Sequence, residues 1–144
     1  VEKTSELGIS KLIPIETFFS EKKNINIHRL NKISIEAVEQ SNGILIPEIT
    51  KVKKLSEVIN NWDKERKIIV CNEKKYCQNI LKLFYGKNLK KIAIFVGPVA
   101  GWSYEDLKFF ENYDAIHMSL GQRLLKADTA AISALSYVKL FLED

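Results

Sequence analysis

The residues best suited to chemistry lie between Met118 and Ala131, which read Met-Ser-Leu-Gly-Gln-Arg-Leu-Leu-Lys-Ala-Asp-Thr-Ala-Ala. Gly121 allows a ligand to approach the backbone closely, and Arg123 and Lys126 supply cationic donors beside it. A second stretch of related character, Val96-Gly-Pro-Val-Ala-Gly-Trp-Ser103, lies upstream. Each follows an apolar run and precedes a helical pattern. In open α/β sheets such loops sit at the carboxyl ends of strands and form ligand clefts. The two loops therefore predict a small-molecule site built from backbone groups.

Spacing excludes several other chemistries. Gly97-x-x-x-Gly101 lacks both the G-x-G-x-x-G of a dinucleotide fold and the G-K-[ST] ending of a P-loop, and fits equally well as a pair of tight-turn glycines with φ above zero. No Ser-His-Asp constellation can be placed. Glu36 and Glu39, three residues apart on a helical pattern, read as a solvated face. Cys71 and Cys77 match neither a C-x-x-C pair nor a common zinc spacing; with His28 and His117 as the only imidazoles, they read as reduced core thiols and no metal site is expected.

The elements that must position these loops alternate along the chain. Strand-length apolar runs recur at Lys11 to Ile15, Gly43 to Ile46, Lys67 to Cys71, Ile92 to Val96 and Ala115 to Leu120. Helical faces fall between them: Leu30, Ile33, Ala37 and Val38; Leu55, Val58, Ile59 and Trp62; Ile80, Leu81 and Phe84. A parallel pairing needs a crossover, usually helical, so alternation predicts an α/β fold with a covered parallel sheet. Ser103, with Glu105 and Asp106 after it, predicts a capped helix running to about Asn112. Asp128 and Thr129 are expected to cap the last helix, whose face of Ala131, Leu135, Val138 and Leu142 is joined by Ala134, Tyr137 and Phe141. A helix apolar on more than one side predicts deep burial or a homodimer contact.

The 144 residues suffice for one domain with a real core. With 46% hydrophobic and 28% charged residues the chain reads as a soluble globular protein, and no apolar run reaches the roughly 18 residues needed to span a bilayer. Val1 to Gly8 reads as a helix ending at glycine rather than as a leader, which predicts a chain that begins inside a larger protein. A net charge of +4, from 22 basic and 18 acidic residues, permits nucleic acid as a partner without demanding it.

Six segments carry a more specific signal: Thr4-Ser-Glu-Leu-Gly8, Ile13-Pro-Ile-Glu16, Ile35-Glu-Ala-Val-Glu-Gln40, Ile46-Pro-Glu-Ile49, Val96 to Ser103, and Leu120-Gly-Gln-Arg-Leu-Leu-Lys-Ala-Asp-Thr-Ala130. In this order they resemble the RsmE-type methyltransferases, which methylate N3 of a uridine in small-subunit (16S) ribosomal RNA. The resemblance covers nearly the whole chain. It implies a SPOUT-type parallel sheet flanked by helices, with a C-terminal trefoil knot that composition and periodicity do not foretell. It also implies S-adenosyl-L-methionine as cofactor, a homodimer with the site near the subunit interface, ribosomal RNA or the assembled small subunit as partner, and a cytoplasmic enzyme. Residues 1–144 would be the SPOUT methyltransferase domain, without the family's N-terminal PUA-like RNA-binding barrel.

Carried over to this sequence, the cofactor loops fall at Cys71, at Val96, Gly97, Pro98 and Gly101, and at Leu120, Gly121, Leu124 and Leu125. Arg123 becomes the catalytic candidate, stabilising charge on the uracil carbonyl oxygens as the imide proton leaves. A salt bridge to Asp128 or a dimer contact is its alternative role. Arg123, Lys126, Glu39 and Gln40 are the RNA-contact candidates. The chain also departs from the family pattern: the usual Gly-Pro-Glu-Gly-Gly is here Gly97-Pro-Val-Ala-Gly101, and Arg-x-Leu-Arg-Thr-Glu-Thr is Arg123-Leu-Leu-Lys-Ala-Asp-Thr129. These changes keep open a weakened or non-catalytic SPOUT-like domain, or an enzyme acting on another RNA base.

Overall fold

The computed structural model of the chain describes residues 1–21, 24–72, 84 and 90–142. These form two compact units, one from Val1–Glu16 with Glu21–Lys54, the other from Thr17–Ser20 with Leu55–Asp144.

In the first unit, α1 (Glu2–Glu6) ends at Gly8, whose φ of 75° suits glycine. Helix α2 (Ile27–Gln40) is capped by the Asn26 side chain, which accepts from the Arg29 N–H at 3.0 Å. Its buried residues Ser34, Ala37 and Val38 include two of the expected face. Ser34 meets α1 through a buried hydroxyl pair, Ser5 donating to Ser34 at 3.1 Å.

The strands of this unit are shorter than expected. The run from Lys11 to Ile15 is divided into β1 (Lys11–Leu12) and β2 (Ile15–Glu16), with Pro14, which has no N–H to donate, between them. They pair in parallel with β3 (Glu48–Ile49) and β4 (Lys53–Lys54) respectively. The strand expected from Gly43 to Ile46 is therefore displaced beyond Pro47. The Gly43 N–H closes α2 on Val38 O (2.8 Å) instead of entering a ladder, and Ile44 and Leu45 are exposed.

The second unit holds a three-stranded parallel sheet of order β6-β5-β7, formed by β5 (Lys67–Cys71), β6 (Ile92–Val96) and β7 (Ile116–Met118). Helix α3 (Leu55–Asn60) and α4 (Tyr104–Glu111) serve one face, where Trp62, Phe95, Phe110 and Trp102 pack in sequence with centroids 5.0–5.4 Å apart. On the other, Ile69, Ile116 and Met118 meet Ala134 and Val138 of α5 (Ala127–Lys139), together with Phe84, which stacks on Phe141. The expected parallel α/β architecture is present. Ile80, Leu81 and Cys77 lie outside the described residues.

Two helix starts were expected from sequence, and they differ. Ser103 caps α4 in a reciprocal box with Asp106, and the helix ends at Asn112 as predicted. The last helix begins earlier than predicted, with Lys126 at its N-cap and no side-chain cap; Asp128 sits in the first turn and accepts from the Thr129 N–H at 2.8 Å. Its fully buried stripe is Ala130, Ala134 and Val138, whereas Leu135 is half-buried and Leu142 exposed. Small residues four apart let the helix axis approach the sheet, so alanines outcompete leucines for the inner face.

Candidate active site

Central β5 has β6 on one side and β7 on the other, so their following loops diverge from a common carboxyl edge, where open α/β sheets form crevices. A cleft of about 220 Å³ lies there. It is lined by Cys71 and Asn72 after β5, by Val96 to Trp102 after β6, by Met118, Leu120 and Gly121 after β7, by Arg123, Leu124 and Leu125, and by Ala127 and Ala130 of α5.

The β6 loop owes its shape to two glycines that act differently. Pro98 to Gly101 is a turn closed by the Gly101 N–H on Pro98 O at 2.8 Å, and Gly101 has φ 78°, as a turn glycine should. Gly97 has no positive φ. A Cβ there would lie 3.0 Å from the Trp102 ring, so any larger residue would require the ring to give by a few tenths of an ångström. The Trp102 indole N–H donates to Cys71 O at 2.8 Å, tying the β6 loop to the end of β5. Ser103 then locks into α4: its hydroxyl accepts from the Asp106 N–H (3.0 Å) and donates to Asp106 Oδ2 (2.9 Å).

The β7 loop is held more lightly. Gly121 has φ 116°, and its N–H donates to Ser119 Oγ at 3.2 Å. At the other edge, Asn72 extends the ladder by donating its N–H to Met118 O at 3.0 Å, and its amide lies 3.4 Å from His117 Nδ1.

The walls are mostly apolar, and Arg123 is the single charged side chain among the described lining residues. It is exposed and has no hydrogen bond or ion pair with any described residue; the alternative pairing with Asp128 is not formed. Val99 and Leu124 border the cleft with 81% and 69% of their surface exposed.

The structure thus gathers Cys71, Val96, Gly97, Pro98, Gly101, Leu120, Gly121, Leu124 and Leu125 around one cleft, with Arg123 among them. Lys126 is exposed at the start of α5 and outside the lining; Glu39 and Gln40 end α2 in the other unit, both exposed. Sequence reasoning missed Asn72, and it assigned no individual role to Trp102, Met118, Ala127 and Ala130, which lie within the two stretches it singled out. Asn72 and Met118 were reachable from the strand ends, whereas Trp102 and the alanines depend on tertiary approach.

A parallel sheet whose diverging loops enclose a backbone-rich, apolar cleft, with one arginine unpaired among the described residues, defines a small-molecule site at the carboxyl edge of an open α/β sheet. Residues 1–139 match the RNA methyltransferase domain family, and the chain belongs to it. It is 32% identical to the ribosomal RNA small subunit methyltransferase E of Rickettsia conorii over 142 residues, covering 97% of this chain and 57% of that protein. The Bacillus subtilis protein of the same name is 27% identical, with 95% and 59% covered. The chain therefore spans less than two-thirds of the length of these relatives. Among solved structures, a Legionella pneumophila protein described as a methyltransferase, in complex with SAM, superposes with a TM-score of 0.84 at 27% identity, covering 96% of this chain and 58% of that one. The Neisseria gonorrhoeae methyltransferase E, at 22% identity and TM-score 0.81, shares the fold over 96% of this chain and 58% of its own.

Proposed function

We propose that this chain is the catalytic domain of an S-adenosyl-L-methionine-dependent methyltransferase acting on N3 of a uridine in small-subunit ribosomal RNA. The observation that carries the reading is the meeting of three strand-end loops in one apolar cleft bordered by an arginine with no partner among the described residues. The residues suit the cofactor: Leu120, Leu124 and Leu125 offer apolar walls for an adenine, and Gly97 and Gly121 expose backbone groups for its ring nitrogens.

When bound, the cofactor supplies a methyl group on a sulfonium. Arg123 holds the uracil carbonyl oxygens, where negative charge develops as the N3 proton leaves to water, and its fixed fork of donors favours that anion over the neutral base. Lys126, Glu39 and Gln40 are assigned to the RNA.

The same reading takes residues 1–144 as the methyltransferase domain, distinct from the family's PUA-like barrel, with the carboxyl-terminal part threaded as a trefoil knot. It also makes the enzyme a cytoplasmic homodimer. A cleft of about 220 Å³ is smaller than the roughly 300–1,000 Å³ of common small-molecule sites, and Val99 and Leu124 stand exposed beside it. A second copy would complete the enclosure, with the outward Tyr137 and Leu140 of the last helical segment as apolar contacts.

One observation favours a second reading, a SPOUT-like domain with weakened chemistry: Val99 stands at the loop tip where the family pattern carries a carboxylate. Calorimetric titration with S-adenosylhomocysteine tests the first reading, which predicts saturable binding; none at millimolar ligand would remove it. Methyl transfer to small-subunit RNA separates the readings, and mass mapping of the methylated nucleoside identifies the base.

A further inference from the structure

We propose that Trp102 is a positioning residue for the cofactor, setting the spacing between the β5 and β6 loops; the proposal rests on the cofactor reading above. Beyond the last β5–β6 pair, Cys71 with Val96, the Cys71 carbonyl accepts from the Trp102 indole N–H. The two loops are therefore joined at the cleft by a side chain. The same ring lies so close to Gly97 that a Cβ would stand 3.0 Å from it, so its position also bears on where the β6 loop leaves its strand. Only 7% of the residue is exposed, yet it lines the cleft.

The ring cannot drift without cost. Its edge-to-face contact with Phe110, which is 1% exposed, anchors it to the core of α4. The next residue, Ser103, is fixed by the capping box. Trp102 thus transmits the rigidity of the sheet's aromatic face to loops that have few bonds of their own.

Trp62 provides a matched control. Its indole N–H donates to Arg66 O at 2.9 Å and its ring packs on Phe95, but it does not line the cleft. Trp102→Phe and Trp62→Phe each remove one indole-to-carbonyl hydrogen bond while keeping an aromatic ring. Both should lower the melting temperature. Only Trp102→Phe should weaken S-adenosylhomocysteine, by about tenfold in Kd. In the Trp62→Phe protein, Trp102 emission should change as the ligand saturates, a readout that remains if Trp102→Phe fails to fold. No binding by the wild type would overturn the functional reading and this proposal together. Wild-type binding with an equal Kd for Trp102→Phe, or with unchanged Trp102 emission on saturation, would overturn this proposal alone.

Discussion

Asp106 offers a direct test of how the site is held. Its carboxylate is buried, with 4% exposure, and receives three donors: the Ser103 N–H (3.2 Å), the Ser103 hydroxyl (2.9 Å) and the Phe18 N–H, shared between both oxygens at 3.3 Å. Truncation by Asp106→Ala strands the Ser103 and Phe18 N–H groups and takes the acceptor from the Ser103 hydroxyl, each loss costing about 1 kcal/mol if water does not replace the carboxylate. The sum is about 3 kcal/mol, or a fall of roughly 6–12 °C in melting temperature for a domain of this size. Asp106→Asn should lose less, because an amide oxygen placed at the Ser103 side still accepts both Ser103 donors, while its NH2 faces the Phe18 N–H, which loses one of its two acceptors. Glu105→Ala, in the same first helical turn but exposed, should lose under about 1 kcal/mol, mainly its interaction with the helix amino terminus. Thermal unfolding followed by circular dichroism measures all three. Equal losses for Asp106→Ala and Glu105→Ala would refute the reasoning, since they would show that the buried bonds contribute nothing beyond the helix dipole.

Gly97→Ala should reduce S-adenosylhomocysteine affinity about fivefold by calorimetry, because the new methyl, 3.0 Å from the Trp102 ring, pushes the ring by a few tenths of an ångström against its bond to Cys71; unchanged affinity would show that the ring gives way freely. Arg123→Ala should lower methyl transfer far more than it lowers cofactor affinity, since the side chain has no described structural partner to lose; an equal fall in both would place it in the cofactor pocket instead. The exposed Lys91 pairs with Glu65 at 2.8 Å and Asp63 at 3.4 Å, and the Glu65 bond foremost raises its pKa. The Glu65 backbone N–H, with help from Lys91, lowers that of Asp63. The Asp63 contribution is thus present at neutral pH and lost as pH falls through its depressed folded value, while that of Lys91 is lost only as pH rises through its raised one. Asp63→Asn should therefore differ slightly from wild type in melting temperature at neutral pH and converge with it in acid, with salt shrinking the gap.

Where local chemistry alone decides an element, the sequence was readable. Ser103 and Asp106 carry their own capping geometry, and the apolar runs ending at Cys71 and Val96 mark their strand ends, whereas the run read from Ala115 to Leu120 forms a strand only over Ile116–Met118. Because a parallel sheet puts its loops on one edge, those strand ends also located the cleft. Reading failed where a distant partner decides. Ile44 to Ile46 has a strand's composition, but Gly43 is committed to closing α2 and Pro47 delays the ladder to Glu48. The last helix shows leucines on one face and alanines on another; packing on the sheet selected Ala134 and the cleft took Ala130, which no periodicity ranks above Leu135. Trp102 looked like a loop residue because its hydrogen bond spans 31 positions.

The departures in the β6 loop bear on shape and chemistry separately. Gly101 keeps the positive φ and the closing bond to Pro98, whereas neither Val99 nor Ala100 has a positive φ. A methyl at position 100 therefore imposes no backbone penalty on the turn. Gly97, the glycine packed against Trp102, matches the family pattern. The backbone frame of the loop is thus preserved while the tip exchanges a carboxylate for the exposed apolar side chain of Val99. Binding that relies on backbone groups and apolar walls should survive such a change; any step that needs an acid or a hydrogen-bond acceptor at the tip should not. Cofactor binding and methyl transfer are consequently independent questions for this chain, and intact affinity would not by itself establish turnover.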